Sequence, residues 1–223
     1  MMYLIKADEI LKWIGTQDWI PVLTLLAVTV ALFQERIARF FRRSKLDVVL
    51  SLQAPDSHII QMRDRNSGMI AGDAFYLRLR ISNCKGSTAK DVEVLAVNLW
   101  KHADDGSKKV VEEFLPMNLV WSHFEPRTFM TDVPRGLFRH CDFGRLQKVG
   151  ATTMLILDTI AQPNPTENGK YPNVLERGKY EFELWVSGEN TRVTKKKWRL
   201  EFDGELLSSG EAMRREHIKL EEI

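Results

Sequence analysis

The apolar residues of this chain change period twice. From Trp19 to Phe33 no residue is charged, and the run Ile-Pro-Val-Leu-Thr-Leu-Leu-Ala-Val-Thr-Val-Ala-Leu is apolar on every side of a helix. Beyond residue 46 the period drops to two. Leu77, Leu79 and Ile81 alternate with Arg78, Arg80 and Ser82, and Tyr180, Phe182, Leu184 and Val186 alternate with Glu181, Glu183 and Trp185. Trp198, Leu200 and Phe202 alternate with Lys197, Arg199 and Glu201. One apolar side and one polar side is the mark of a half-buried strand. Further strands are expected at 46–53, 91–100, 113–121 and 153–158. About seven strands with no helix between them favour a mainly β, antiparallel β-sandwich over a parallel sheet.

Turn chemistry fits that reading. Gly86 closes the turn Asn83-Cys84-Lys85-Gly86 and is free to take a positive φ. Ser187-Gly188-Glu189-Asn190 joins two strong strands as a hairpin. Ala161–Arg177, with three prolines, reads as an exposed loop, and a second long loop is expected from His123 to Val149. Near the C-terminus Met213, His217 and Leu220 recur at helical spacing behind a capping box, Ser208 with Glu211, so a short helix is expected within 206–223. The predicted organisation is an N-terminal segment 1–45, a sandwich 46–205 and a C-terminal helix 206–223.

The N-terminal segment reads as a single-pass membrane anchor. Its 15 uncharged residues reach about 22 Å as a helix, short of a hydrocarbon core of about 30 Å. Extension back to Ile14 closes the gap. Trp13 and Trp19 flank one end, where indoles favour the headgroup layer. Arg36, Arg39, Arg42, Arg43 and Lys45 crowd the other. A cleaved signal peptide fits less well, because the basic cluster follows the apolar run; a soluble helix buried against protein is the other alternative. The basic side is expected to stay in the cytoplasm. That puts the N-terminus outside an inner or plasma membrane, the sandwich in the cytoplasm, and Cys84 and Cys141 in a reducing compartment as free thiols.

Composition narrows the classes. In 223 residues, 44% are hydrophobic and 28% charged, which excludes a disordered chain. Two cysteines exclude a disulfide scaffold. A net charge of +2 is too balanced for a dedicated binder of nucleic acid, and no sequence-specific nucleic acid is expected as a partner. The excess sits in residues 1–45, which hold seven basic groups and four acidic ones.

The run Tyr76–Asn83, followed by Gly86, Ala89 and Val92, resembles the start of many bacterial immunoglobulin-like sandwich domains. Leu175-Glu-Arg-Gly-Lys-Tyr180 is similar to the turn that opens their penultimate strand. The resemblance implies that Tyr180 bonds its hydroxyl back to the backbone, as in the corner typical of that fold. The Cys…Trp…Cys spacing of antibody domains is missing. The stretch Phe114–His123 also resembles a strand of bacterial membrane-anchored proteins, a likeness that implies no particular activity.

Four constellations could carry chemistry. Arg139-His140-Cys141-Asp142 sets a thiol beside an imidazole, yet neighbours in a strand point opposite ways, so a working pair would need His123 or His58. His123, His140, Cys141 and Cys84 lack metal-ligand spacing, and neither a metal nor a cofactor is implied. Arg135, Arg139, His140, Arg145 and Lys148, accompanied by Phe138 and Phe143 in the expected long loop, could bind a small phosphate-bearing ligand through guanidinium forks and stacking. Lys195, Lys197 and Arg199 would share one strand face, either as a protected edge or as a patch for anionic lipid.

The expected role is that of a membrane-tethered cytoplasmic β-sandwich, a non-catalytic binding or adaptor module and not an enzyme. Its partners would be the lipid bilayer, a protein or small ligand, and a possible second copy of itself. One alternative is a ligand-sensing membrane effector that oligomerises and perturbs the bilayer. Another is a thiol-dependent enzyme using Cys141.

Overall fold

A computed structural model of the chain describes residues 19–41, 43–63, 67–103, 105–111 and 114–223. The chain divides into two units, Met1–Arg42 and Arg43–Ile223. In the first, helix α1 runs from Ile20 to Phe41. Pro21 lies in its first turn, where the missing N–H has no helical acceptor to lose. Large apolar side chains stand exposed along it at Val22, Leu23, Leu25, Leu26, Val28, Val30, Leu32 and Phe33. Among the described residues no helix is long and apolar enough to cross a membrane. Of the residues expected to anchor the chain, Trp13 and Arg42 lie outside the described residues. Trp19 is exposed just before α1, the backbones of Arg36 and Arg39 continue it, and Arg43 begins the second unit.

The second unit is two antiparallel sheets. In chain order the strands are β1 (Lys45–Leu50), β2 (Ser57–Arg63), β3 (Ile70–Lys85), β4 (Ala89–His102), β5 (Lys108–Val110), β6 (Met117–Asn118), β7 (Val120–Trp121), β8 (Met130–Val133), β9 (Phe138–Val149), β10 (Thr152–Leu157), β11 (Val174–Leu175), β12 (Gly178–Ser187), β13 (Thr194–Phe202) and β14 (Ile218–Glu222). The first sheet runs β1-β3-β9-β10-β11, with β2 on β3 and β7 on β9. The second runs β14-β13-β12-β4-β5, with β6 and β8 on β4.

The alternation read from the sequence sets this packing. Phe75, Leu77, Leu79 and Ile81 of β3 and Cys141, Phe143 and Leu146 of β9 turn inward, each at 0% exposure. They join Val94, Phe182, Leu184, Trp198 and Leu200 of the second sheet in one core. The rings of Phe143 and Phe182 meet edge to face at 5.0 Å, bridging the sheets. Each such side chain contributes on the order of 1.5–3 kcal/mol by leaving water. The polar positions between them must therefore face out.

Three expectations are corrected. The loop expected from His123 to Val149 instead contains β8 and the 12-residue strand β9, which sits between β3 and β10. A bulge hid it. Leu77 pairs with Gly144 and Arg78 with Asp142, so Phe143 is an extra residue and the apolar spacing jumps from 141 and 143 to 146. The C-terminal helix within 206–223 is also not what forms. Ser209, not Ser208, caps a single helical turn at Gly210–Ala212, and the chain passes through a wide turn at Met213–His217 into β14. Met213 and Ile218 drop into the core, and β14 takes the open hydrogen-bonding edge of β13. The sandwich thus continues to the C-terminus, and β13 is not an edge strand. The strand expected at 113–121 shrinks to β6 and β7, which pair with opposite sheets on either side of Leu119.

Candidate functional site: the polar outer face of the first sheet

Because β3 and β9 each turn alternate residues outward, their polar side chains meet in cross-strand pairs. Arg80 lies opposite His140, Arg78 opposite Asp142, and Tyr76 opposite Arg145. The turn before β2 closes over one end of this row. Asp56 is 2% exposed; its Oδ1 lies 2.9 Å from Nε2 of His140 and its Oδ2 3.7 Å from Arg80.

Arg78 is the centre of the row and is 8% exposed. Its guanidinium donates to the Pro55 carbonyl at 2.5 Å and lies 3.0 Å from Nε2 of His123 and 3.4 Å from Nδ1 of His58. A guanidinium only donates, so the ring nitrogens facing it are the acceptors of these contacts. Burial, then Arg78, His123 and His140, hold the pKa of His58 below its ordinary value. Asp142 accepts the Ser122 hydroxyl at 2.5 Å, and burial raises its carboxyl. Nε of Arg78 is buried without a partner.

The row ends in a cavity of about 340 Å³ lined by Arg127, Arg145, Asp158, Thr159, Gln162 and Asn173. Arg145 is ion-paired with Asp158, donates through Nε to Gln147 at 3.0 Å, and lies 5.8 Å from the Tyr76 ring centroid. Asn173 is 8% exposed and donates its amide to the Leu157 carbonyl at 3.2 Å. Its Oδ1, and Oδ2 of Asp158, are buried acceptors with no partner. Two guanidinium groups, a carboxylate and two side-chain amides around one cavity suit a small polar ligand that both donates and accepts hydrogen bonds.

The five residues expected to bind a ligand do not form one pocket. Arg145 lines the cavity. His140 sits in the middle of the face, against Asp56. Arg139, at the end of β9, holds its guanidinium 5.7 Å from the Phe124 ring, and Arg135 is exposed in the turn between β8 and β9. Lys148 is exposed at the far end of β9. Arg139 and Lys148 are nine residue steps apart along β9, roughly 30 Å, too far for one small ligand.

The other constellations also resolve. Cys141 lies in the core, where burial pushes its thiol well up, while His58, His123 and His140 belong to the outer face. The sheet itself separates thiol from imidazole. Cys84 is exposed. Among the described residues no group of three or more His, Cys, Asp or Glu could hold a metal ion. Lys195, Lys197 and Arg199 do share the outer face of the second sheet. Lys195 stacks over Trp185 at 3.9 Å, Lys197 over Trp100 at 5.1 Å, and Arg199 pairs with Glu181 and Glu221. Lys197, beside Glu183, and Arg199 are thus matched by carboxylates, while Lys195 rests on an indole ring.

Sequence reasoning missed Asp56, His58, Arg78, Asp158 and Asn173 as a group. Arg78 and Arg80 carried a signal, two arginines on one side of a strong strand, but in sequence they look like an ordinary solvated face. No protein-family model matches this sequence, and no curated protein matches it, so the functional reading rests on the chain's own geometry.

Proposed function

We propose that this chain is a membrane-tethered binding module: an immunoglobulin-like sandwich, held at an inner or plasma membrane by its N-terminal segment, that takes a small polar ligand or a polar protein segment on its first sheet. The observation that carries the tether is α1. Eight large apolar side chains between Val22 and Phe33 stand exposed around its first part, and so large an exposed apolar surface calls for cover by protein or by lipid. Lipid is favoured by Trp19 before the helix and the arginines that follow it. The uncharged stretch is short, so the anchor would span with interfacial ends or with local thinning. The basic side facing the cytoplasm puts the sandwich there as well.

The finer fold reading has support in strand order. In the second sheet β4-β12-β13 follows the C-F-G order of a constant-type immunoglobulin domain and in the first β1-β3-β9 follows A-B-E, while β10 lies where D would be but comes after β9 in the chain. The Tyr180 hydroxyl donates to the Glu176 carbonyl at 3.0 Å, at the start of the strand where that fold has its tyrosine corner. Binding is assigned to the face from Asp56 to Asn173 because it combines a cavity with guanidinium, carboxylate and amide side chains along its wall.

Extraction of the full-length protein tests the tether. It should stay in the membrane pellet through high salt and alkaline washes and leave only in detergent. Release by salt alone would overturn the reading. Binding is tested separately, by capture from cell extract with wild-type protein and with Arg145→Ala. Identical captures would remove the assigned face from the proposal.

A further inference from the structure

The end of the sandwich where the chain enters it gathers exposed apolar and basic side chains. Ser44 donates its backbone N–H to the Asn190 carbonyl at 3.0 Å and bridges to Thr191, so entry lies beside the β12–β13 turn. The β8–β9 turn is tied to the same place. Asn83, at 0% exposure, donates its backbone N–H to Leu137 O at 3.0 Å and accepts from Gly136 N at 2.8 Å. Its side-chain amide donates to Val133 O and Ser87 O, and Asn190 reaches Ser87 and Thr88. The two turns are thus held together by buried hydrogen bonds at the point of entry.

These turns carry large apolar side chains on the outside: Leu137 is 58% exposed, Phe138 51% and Val193 51%. Exposed basic residues surround them at Lys45, Lys85, Arg135, Arg139 and Arg192. Lys90 is matched by Asp132 at 2.7 Å, and Glu189 is the remaining exposed acid of the β12–β13 turn. Unlike Lys197 and Arg199 on the second sheet, these cations have no carboxylate partner among the described residues. Apolar tips ringed by cations match the boundary between the headgroups of an anionic bilayer and its acyl chains.

We infer that this end of the sandwich docks onto an anionic lipid bilayer, with Leu137, Phe138 and Val193 entering the headgroup layer and Arg135, Arg139 and Arg192 meeting lipid phosphates. Its setting rests on the tether reading, since residue 43 follows directly on the segment proposed to hold the membrane. Its chemistry does not, because every docking residue belongs to the sandwich. A rigid end so anchored would fix the orientation in which the first sheet is offered to a partner.

The test uses residues 43–223, a fragment whose core is drawn entirely from Leu46 to Ile218 and therefore contains its own folding nucleus. It is sedimented with vesicles of phosphatidylcholine alone and with added phosphatidylglycerol. Binding should appear with the anionic vesicles and weaken with salt. It should fall at least about tenfold in the double variant Leu137→Ser/Phe138→Ser and again in Arg135→Glu/Arg139→Glu. Lys219→Glu, on the opposite edge of the second sheet, should leave it unchanged. Unaltered thermal unfolding of each variant shows that folding is intact. No preference for the anionic vesicles, or equal binding by Leu137→Ser/Phe138→Ser, would overturn the inference. So would self-association abolished by the same substitutions, which would give the surface to a second copy of the chain. The fragment lacks α1, so failure here leaves the tether reading to its own extraction test.

Discussion

Cys141 and His140 are adjacent in β9, yet the thiol lies in the core between the sheets and the imidazole lies outside against Asp56, 2.9 Å from its carboxylate. The alternation of a strand separates them as fully as distance would. Burial also pushes the Cys141 thiol well up, so little thiolate forms near neutral pH. A native protein treated with a thiol-specific chromogenic reagent should therefore modify Cys84 quickly and Cys141 only after denaturant is added. Comparable rates for both would mean that the core opens readily around β9.

The sandwich was legible where one strict period ran unbroken. Leu77 to Ile81, Tyr180 to Val186 and Trp198 to Phe202 each gave a strand and its inward face correctly, because one side of each is sealed by the other sheet. It was illegible where geometry bent the period. The bulge at Phe143 moved Leu146 out of phase, and β9, the strand on which the polar face depends, looked like loop. At the C-terminus, four residues alternating as Ile218, Lys219, Leu220 and Glu221 fit a helical spacing as well, and only the open edge of β13 decides between them. The candidate site was harder still. Asp56, Arg78, His123 and Asp158 come from four places in the chain, and only strand register brings them together. Arg145 and His140 read as loop residues in the sequence and are strand residues of β9 with different neighbours in the fold.

Gly86 gives a sharp test of how the chain enters the sandwich. Its φ is +89°, and a Cβ there would sit 2.2 Å from the carbonyl oxygen of Arg43. Backbone, not a movable side-chain end, occupies the space. Gly86→Ala should lose at least about 2 kcal/mol, combining the cost of a positive φ with displacement of the entering strand. Gly68 has φ +67° with nothing near the missing Cβ, so Gly68→Ala should cost only about 1 kcal/mol. Chemical denaturation of both variants checks the comparison, and equal losses would show that the contact with Arg43 has no weight.

Tyr180 tests the corner at the start of β12. Its ring is buried against Phe182 and Phe202, and its hydroxyl donates to Glu176 O. Burial, with Glu176 adding to it, raises the phenol to about 12. Tyr180→Phe keeps the ring and removes only the donor, so it should destabilise the sandwich by about 1 kcal/mol and leave the fold intact. Denaturant unfolding measures the loss. A neutral effect would mean that water replaces the hydroxyl without cost.

Glu181 makes the sandwich's clearest link between pH and stability. It is 3% exposed on the outer side of β12 and is met by Lys108, by Arg199 at 2.9 Å and by His102 at 2.8 Å. Burial alone would raise its carboxyl, but those three donors outweigh burial and hold it at about 2, below the ordinary 4.5. A folded pKa below the unfolded one means that the native state binds the proton less readily. The stabilisation is therefore complete above pH 4.5 and disappears as the pH falls toward about 2. The full shift would amount to about 3 kcal/mol, but Lys108 and Arg199 are 38% and 31% exposed, so solvent screening should reduce it to about 1–2 kcal/mol. Denaturation of wild-type protein and Glu181→Gln from neutral to acid pH separates this group from the other carboxylates. The two curves should differ at neutral pH and converge in acid; a gap that stays constant with pH would show that Glu181 acts by packing and not by charge.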